Sequence, residues 1–431
     1  MTSHPPDPEA DPDTSDYLPS DTLHLWWLGK PTQPVLIGQL ALVRALQGVS
    51  LRYSAAWLGT GFALSEDLPL LDGDYLPTEK TSAAGAVDDA RPDRWGERVI
   101  RHLDRPPRLS LLELLYFAGD DRFGALGVSV SGQHYQPRRL GPLPVLADVP
   151  QVADLVRQVL AGEPVAAAQR RLIAPGVSMG GARPKALLDI HGEPWVLKFT
   201  EPGDPVDMPL IEHAAMTLAA RAGIQVASTR PIRLGEGVGN TGGHAVAVKR
   251  FDRAGGQRLH ALSAKVALKA AGEPMGYPEL AQVLRRRGVV AGGQGRLQMQ
   301  ELFRRMVFNI LIDNTDDHEK NHALLMNHQG DYTLSPAFDV LPAGQALGYQ
   351  QLRVGRDMGD ATLANALSEH PQFGLKRDAA EEQVRQVAKL VSQWKPHFAA
   401  AGVRDAHIQW LSQQIDRPFL ADQRDAWCGT R

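Results

Sequence analysis

Asp316 and Asn321 stand in the run Asn314-Thr315-Asp316-Asp317-His318-Glu319-Lys320-Asn321-His322. A carboxylate, four residues and then an amide is the spacing of a phosphoryl-transfer loop. The carboxylate orients an attacking hydroxyl and accepts its proton. The amide oxygen, one turn away, holds a magnesium ion. Asp, Asn and Thr also favour turns and helix ends, so the run alone reads as well as a capped, solvated turn. Further on comes Ser335-Pro336-Ala337-Phe338-Asp339. An acidic residue after a short apolar strand can chelate magnesium between phosphates. On its own Asp339 is a loop residue before Pro342; beside the upstream run, the metal role is the better reading.

A third charged group lies inside an apolar strand. Lys198 sits in Trp195-Val196-Leu197-Lys198-Phe199, where an ammonium needs a counter-charge or a ligand. Glu212, at the head of the following helix, is the expected partner; the alternative is a sheet-edge lysine facing water. Upstream, Gly176-Val177-Ser178-Met179-Gly180-Gly181-Ala182 is a glycine-rich loop whose backbone N–H groups can approach phosphate without a Cβ clash. Lys185 adds charge beside it. No G-K-[ST] closes the loop, so it is not a Walker A motif, and a glycine loop by itself fits a plain turn. In a nucleotide site Ser178 would sit over the phosphates. His318 and His322 are four apart but lack the H-E-x-x-H of a zinc protease, so His318 is expected beside the phosphates instead.

These residues need two different supports. Lys185–Ile190 and Trp195–Phe199, joined across His191-Gly192, read as a β-hairpin. Residues 209–222 carry a helical apolar period closed by Gly223, and 244–251 alternate like a strand. After Phe251 the chain turns helical: Leu302, Phe303, Met306, Val307, Ile310 and Leu311 share one face, and Val384, Val387, Ala388, Val391 and Trp394 another. Upstream, residues 23–53 read as a small sheet, 91–103 and 109–118 as helices, and 124–130 as a strand. Residues 1–20, rich in proline and carboxylates, are expected to be disordered, with order starting at Leu23.

The chain has 431 residues, 43% hydrophobic and 22% charged, with formal net charge -3. That is ordinary for a globular protein and leaves no dominant surface for nucleic acid or anionic membrane. The single cysteine, Cys428, permits no internal disulfide and no multi-cysteine zinc site. No apolar run reaches about 18 residues, so no membrane span is expected. The N-terminus lacks the pattern of a signal peptide, and a reducing cytoplasm is the default location.

Taken together, the residues resemble the HipA family of bacterial serine/threonine kinase toxins. Ser178 to Lys185 matches the family's glycine loop, Leu197-Lys198-Phe199 the phosphate lysine, and Glu212-His213-Ala214-Ala215 the helix after it. Val248-Lys249-Arg250-Phe251-Asp252-Arg253 matches the adenine-side hinge. The Asn314–His322 run and Ala337-Phe338-Asp339 complete the set. The likeness is strong over about 175–345 and weaker in Leu114–Leu126, which ends Gly119-Asp120-Asp121-Arg122-Phe123-Gly124-Ala125-Leu126. Asp88-Asp89-Ala90-Arg91-Pro92-Asp93-Arg94-Trp95-Gly96 departs from the family's pattern, and Pro184 removes one loop N–H.

The resemblance implies an α+β fold: a disordered tail (1–20), a small α/β N-terminal subdomain (21–150), a β-rich N-lobe (151–253) and an all-helical C-terminal lobe (254–431). It implies ATP and Mg2+ as cofactors, with Asp316 and Lys198 catalytic and Asn321 and Asp339 holding metal. Ser178, Gly180, Gly181, Ala182, Lys185, Lys198, Glu212, Lys249, Phe251 and His318 would line the nucleotide. Ser178 resembles the family's autophosphorylated serine, where a phosphate inhibits by occupying the place of the ATP phosphates. The partners implied are a protein substrate bearing Ser or Thr, as with family members that target aminoacyl-tRNA synthetases, and a HipB-like helix-turn-helix antitoxin. DNA would be met only through that antitoxin, and no membrane is expected. A small-molecule kinase with the same loop and a non-catalytic nucleotide-binding regulator are the other readings. The loop serine argues against the first and the intact Lys198, Asp316, Asn321, Asp339 set against the second.

Overall fold

The computed structural model describes residues 17–138, 141–173, 181–235, 243–327, 329–343 and 345–429. The first layer is an antiparallel sheet of β1 (Thr22–Trp27), β2 (Val35–Val43), β3 (Gly48–Tyr53), β4 (Asp74–Tyr75) and β5 (Leu126–Ser129), in the order β4-β3-β2-β1-β5. Alternate residues Leu23 and Leu25, then Val49, Leu51 and Tyr53, are buried, as a half-covered sheet requires. Between β4 and β5 the chain forms α1 (Arg94–Val99) and α2 (Leu111–Phe117). Ser110 and Glu113 form a reciprocal capping box at the start of α2.

Order starts earlier than Leu23. The Tyr17 ring is buried against Tyr116, centroids 4.6 Å apart, and its hydroxyl donates to Glu113 at 2.8 Å. The expected disorder therefore does not extend through residue 20: a single aromatic with a buried acceptor is enough to hold this end of the tail. Residues 1–16 lie outside the described residues.

The second sheet carries the site. It comprises β6 (Lys185–Ile190), β7 (Glu193–Lys198), β8 (Thr229–Arg233) and β9 (His244–Lys249), all antiparallel in the order β6-β7-β9-β8. His191 and Gly192, both at positive φ (58° and 81°), make the two-residue turn between β6 and β7. One face, with Ala186, Leu188, Leu197 and Ala247, packs on α3 (Val149–Ala161) and on Trp95, Val99 and Leu103 from the N-terminal region. The other, with Leu187, Val196, Val246 and Val248, belongs to the main core together with Ile211, Ala214 and Leu218 of α4 (Met208–Arg221). Strand alternation puts Lys198 on the side of Val196, toward α4.

The C-terminal part, expected to be all-helical, is mostly helical but also holds a three-stranded sheet: β10 (His260–Ser263), β11 (Ala323–Met326) and β12 (Tyr332–Leu334). These strands are three or four residues long, too short to show a period in sequence. Around them lie α5 (Ala264–Ala270), α6 (Tyr277–Arg287) and α7 (Gln294–Leu311). All six residues expected on the inner face of α7, from Leu302 to Leu311, are buried. Val384, Val387, Ala388 and Val391 are buried in α8 (Arg377–Val391); Trp394, also buried, opens the next helix.

Candidate active site

Alternation on β7 and the N-terminal half of α4 bring Lys198 and Glu212 face to face. The Lys198 ammonium donates to Glu212 Oε1 and to Asp339 Oδ1, each at 2.7 Å. Burial alone would strip the lysine of its proton, but the two carboxylates more than offset it and hold the ammonium charged. The acids divide. Burial pushes the Glu212 carboxyl up despite Lys198. At Asp339 burial also acts upward, but the Lys198 charge outweighs it and the carboxyl titrates below its ordinary range. Asp339 has a left-handed backbone, φ 58°, a strained choice for a non-glycine residue that clusters at functional sites.

Across a cleft of about 270 Å³ lined by Gly181, Lys198, Asp316, Asn321 and Asp339 lies the run after α7. Asn321 donates from Nδ2 to the Asp316 carbonyl at 3.2 Å, closing the loop on itself. Its Oδ1 is buried and has no partner among the described residues. Asp316 stands at the open side. Its carboxyl is pushed up by desolvation, with Asp339 and Asp317 adding to the effect and His318 and the Gln351 amide opposing it. Gln351 donates to Asp316 Oδ1 at 2.9 Å. His318 does not line the cleft, though its influence, lowering in sign, reaches both Asp316 and Asp339.

The glycine turn is described from Gly181 onward; Ser178 and Gly180 lie outside the described residues. Gly181 has φ +78° and sits against Asp339, whose Oδ2 would be 3.6 Å from a Cβ. Ala182 also lines the cleft. Lys185 reaches the cleft too, but it is not an uncommitted cation. Buried, it donates to Asp93 Oδ2 at 2.5 Å and to the Gly181 carbonyl at 2.8 Å. Lys185 and Lys198 are direct cross-strand neighbours. Like charges so placed repel, and each is matched by its own carboxylate.

Two expected nucleotide contacts are placed elsewhere. The Lys249 side chain pairs with Glu193 on the surface at 2.6 Å. The Phe251 ring packs between Phe123 and Phe338, centroids 5.9 and 5.3 Å away. Neither lines the cleft. The physical reason lies in the neighbouring residues. Arg250 donates to the Asp121 and Arg122 carbonyls, and Arg253 to those of Arg122 and Gly124. Asp252 accepts from both arginines and from Gly124 N–H at 2.8 Å. The stretch Arg250–Arg253 thus grips Asp121–Gly124, and the two motifs read separately in the sequence are each other's partners.

Sequence reasoning also missed what holds the catalytic run from below. Asp317 is buried and accepts from the Tyr277 hydroxyl and from His322 Nε2, the latter at 3.0 Å. Asn309 donates to Tyr277 at 2.9 Å, and Asn314 to Asn309 at 3.2 Å. The available signal was Arg305 and Asn309, polar residues four apart on a buried stretch of α7, where a polar group must have a partner. Among the described residues no three His, Cys, Asp or Glu side chains converge as a metal site made of protein alone would.

Comparison with known proteins gives matches to two family models, the HipA-like C-terminal domain over residues 177–394 and the HipA N-terminal domain over 32–129. Two Sinorhizobium fredii proteins provisionally named as kinases are similar to the chain. Y4dM is 31% identical over 161 residues, 35% of this chain and 37% of its own length. Y4mE is 27% identical over 353 residues, 74% of this chain and 76% of its own length. The chain thus spans little more than a third of the first relative. The fold is similar to that of HipA from Shewanella oneidensis MR-1, solved with HipB and its operator DNA. The TM-score is 0.62 at 16% identity, over 94% of this chain and 97% of that one.

Proposed function

The chain belongs to the HipA family, and from that premise we propose that it is an ATP- and magnesium-dependent serine/threonine protein kinase. The observation that carries the reading is Lys198 held at 2.7 Å from both Glu212 and Asp339, in one cleft with Asp316 and Asn321.

The donor set fits the implied metal. Magnesium binds through one or two protein oxygens together with substrate phosphates rather than a protein cage. Asn321 has a buried, unpartnered oxygen, and the depressed Asp339 carboxyl stays ionised. Bound magnesium would neutralise charge developing on the transferred phosphoryl group. Lys198 would orient the phosphates, and Glu212 would hold it in place when Asp339 turns to the metal. The strained backbone of Asp339 aims its carboxylate at the cleft. Asp316, with one oxygen fixed by Gln351, takes the proton of an incoming hydroxyl on the other. Gly181 lets the main chain come close to the phosphates.

Ser178 is the proposed autophosphorylation site, since the loop it belongs to runs into Gly181 and Ala182 at the cleft. Lys185, bound to Asp93, would act on phosphate through its charge. The proposed partners are a host protein presenting Ser or Thr and a HipB-like antitoxin that brings any DNA contact. The test is labelled ATP in host lysate, wild type against Asp316→Asn, with mass spectrometry of labelled sites. Transfer to protein seryl or threonyl groups, Ser178 included, that vanishes in the variant is expected. Undiminished transfer by a folded Asp316→Asn chain rules the assignment out.

A further inference from the structure

The segment Asp88–Gly96, which departs from the family pattern, binds Lys185 of the cleft through Asp93 and, through Asp89, the start of α5 that holds the catalytic run. Asp89 accepts two hydrogen bonds from Ser263, from N–H at 2.6 Å and from Oγ at 2.7 Å. Ser263 ends β10 and caps α5, its Oγ accepting from Val266 N–H at 3.2 Å. It also pairs with Ala323 at the start of β11. The first two N–H groups of α5 have no partner within the helix. Ala264 donates to the His322 carbonyl at 2.8 Å and Lys265 to that of Glu319 at 3.1 Å. The catalytic run is therefore fastened to the start of α5, and the start of α5 to Asp89.

Four residues on, Asp93 caps α1 through Gly96 N–H at 2.8 Å and binds Lys185, which in turn holds the Gly181 carbonyl. Trp95 Nε1 donates to the Lys185 carbonyl at 2.7 Å. The stretch Asp88–Arg91 is itself fixed. Asp88 accepts from Ala83 N–H at 2.9 Å and Arg91 at 3.1 Å, and the Ala90 carbonyl accepts from Arg122 at 3.1 Å.

We propose that Asp89 and Asp93 are positioning residues for phosphoryl transfer: Asp89 sets the catalytic run through Ser263 and α5, and Asp93 sets the glycine turn through Lys185. The N-terminal region is then part of the catalytic device and not an appended module. The proposal rests on the kinase reading for its chemistry but has a mechanical consequence of its own. Asp89 binds Ser263, which does not line the cleft, so its loss is expected to act on the transfer step. Asp93 acts on the wall that would hold phosphate, so its loss acts on ATP binding. Misplacing a reacting group by about 1 Å costs on the order of 100-fold in rate.

The test uses the full chain and two readouts. Asp89→Ala and Ser263→Ala are each expected to lower kcat about 10–100-fold with KM for ATP within about twofold of wild type. The double variant should be no worse than either single one, and Ser263→Thr, which keeps the hydroxyl, should retain activity. Asp93→Asn, which keeps the helix cap, should raise KM for ATP more than it lowers kcat. Independently, hydrogen exchange should speed up over 264–270 and 316–323 in Asp89→Ala while the N-terminal sheet stays protected. If Asp89→Ala disturbs that sheet, Ser263→Ala alone decides. Unchanged exchange over 316–323, or a lowered melting midpoint with wild-type kcat, would overturn the proposal. Faster exchange in a chain whose wild type transfers no phosphate would overturn the kinase reading, and with it any catalytic meaning for Asp89.

Discussion

Replacing Glu212 by Gln isolates what the buried pair contributes. The substitution keeps the size and the acceptor oxygen but removes the charge facing Lys198 at 2.7 Å. A hydrogen bond to a charged group is worth about 1.5–3 kcal/mol and a neutral one about 0.5–1.5 kcal/mol. The Glu212 side therefore weakens by about 1–2 kcal/mol, while Asp339, also at 2.7 Å, keeps its full pull. An imbalance of that size moves a two-position equilibrium about 5–30-fold, drawing the ammonium toward Asp339. kcat/KM for ATP should fall by about that factor. Stability should hardly follow. Burial makes ionised Glu212 costly, as its raised pKa records, while the charge of Lys198 is supported by both carboxylates. These effects oppose each other, so the melting midpoint should move by no more than about 3 °C. Steady-state ATP titration beside a melting curve separates the two. A kcat/KM within twofold of wild type would refute the bridging role of Glu212, and so would an activity loss fully matched by unfolding.

Asp316→Asn should cut phosphoryl transfer about 100–10,000-fold in single-turnover assays at unchanged fold, the range of a lost general base; a smaller loss would move that role to another group. Chelation should stop transfer and added magnesium restore it, and Asn321→Leu should raise the magnesium concentration needed for half-maximal rate at least about tenfold; an unchanged requirement would remove Asn321 from the metal. Asp252→Leu leaves Arg250 and Arg253 buried without their shared carboxylate, at a cost of about 3–5 kcal/mol, and thermal unfolding should come roughly 6–20 °C earlier. His260 is buried, donates to the Leu64 carbonyl, and has its pKa lowered by burial to about 4. The unfolded chain binds its proton from about pH 6.5, so between pH 6.5 and 4 the unfolded state holds more protons and stability is lost as the pH drops, by about 3 kcal/mol at most. His260→Gln should flatten that slope, and an equal slope in the variant would assign the loss to other groups.

What could be read in the sequence follows from what is local. The Asp316–Asn321 spacing lies within one loop, and it proved to be a closed turn joined by the Asn321 amide. Lys198 meeting Glu212 follows from strand alternation plus the N-terminal half of the next helix. The β6–β7 hairpin was legible because His191-Gly192 suits a turn with two positive φ values. The short strands β10 to β12 were not legible, since three or four apolar residues fit a helix segment equally well.

The remaining misses share a cause. The resemblance assigns Lys249 and Phe251 to the nucleotide because 248–253 matches the family's adenine-side hinge. Its arginines instead satisfy carbonyls more than a hundred residues upstream. Tyr277, Gln351, Asp93 and Asp89 likewise meet partners 35 to 174 residues away along the chain. Periodicity tells which face of an element is buried, but not which distant group will satisfy a polar atom there. The usable clue is the polar residue on an apolar face, because an unpaired buried donor or acceptor costs too much to persist. Arg305 and Asn309 on α7 were two such residues, and each does have a partner: Arg305 the Ser335 carbonyl, Asn309 the Tyr277 hydroxyl. Polar exceptions on α7, beside its apolar stripe, point from sequence to the network beneath Asp316.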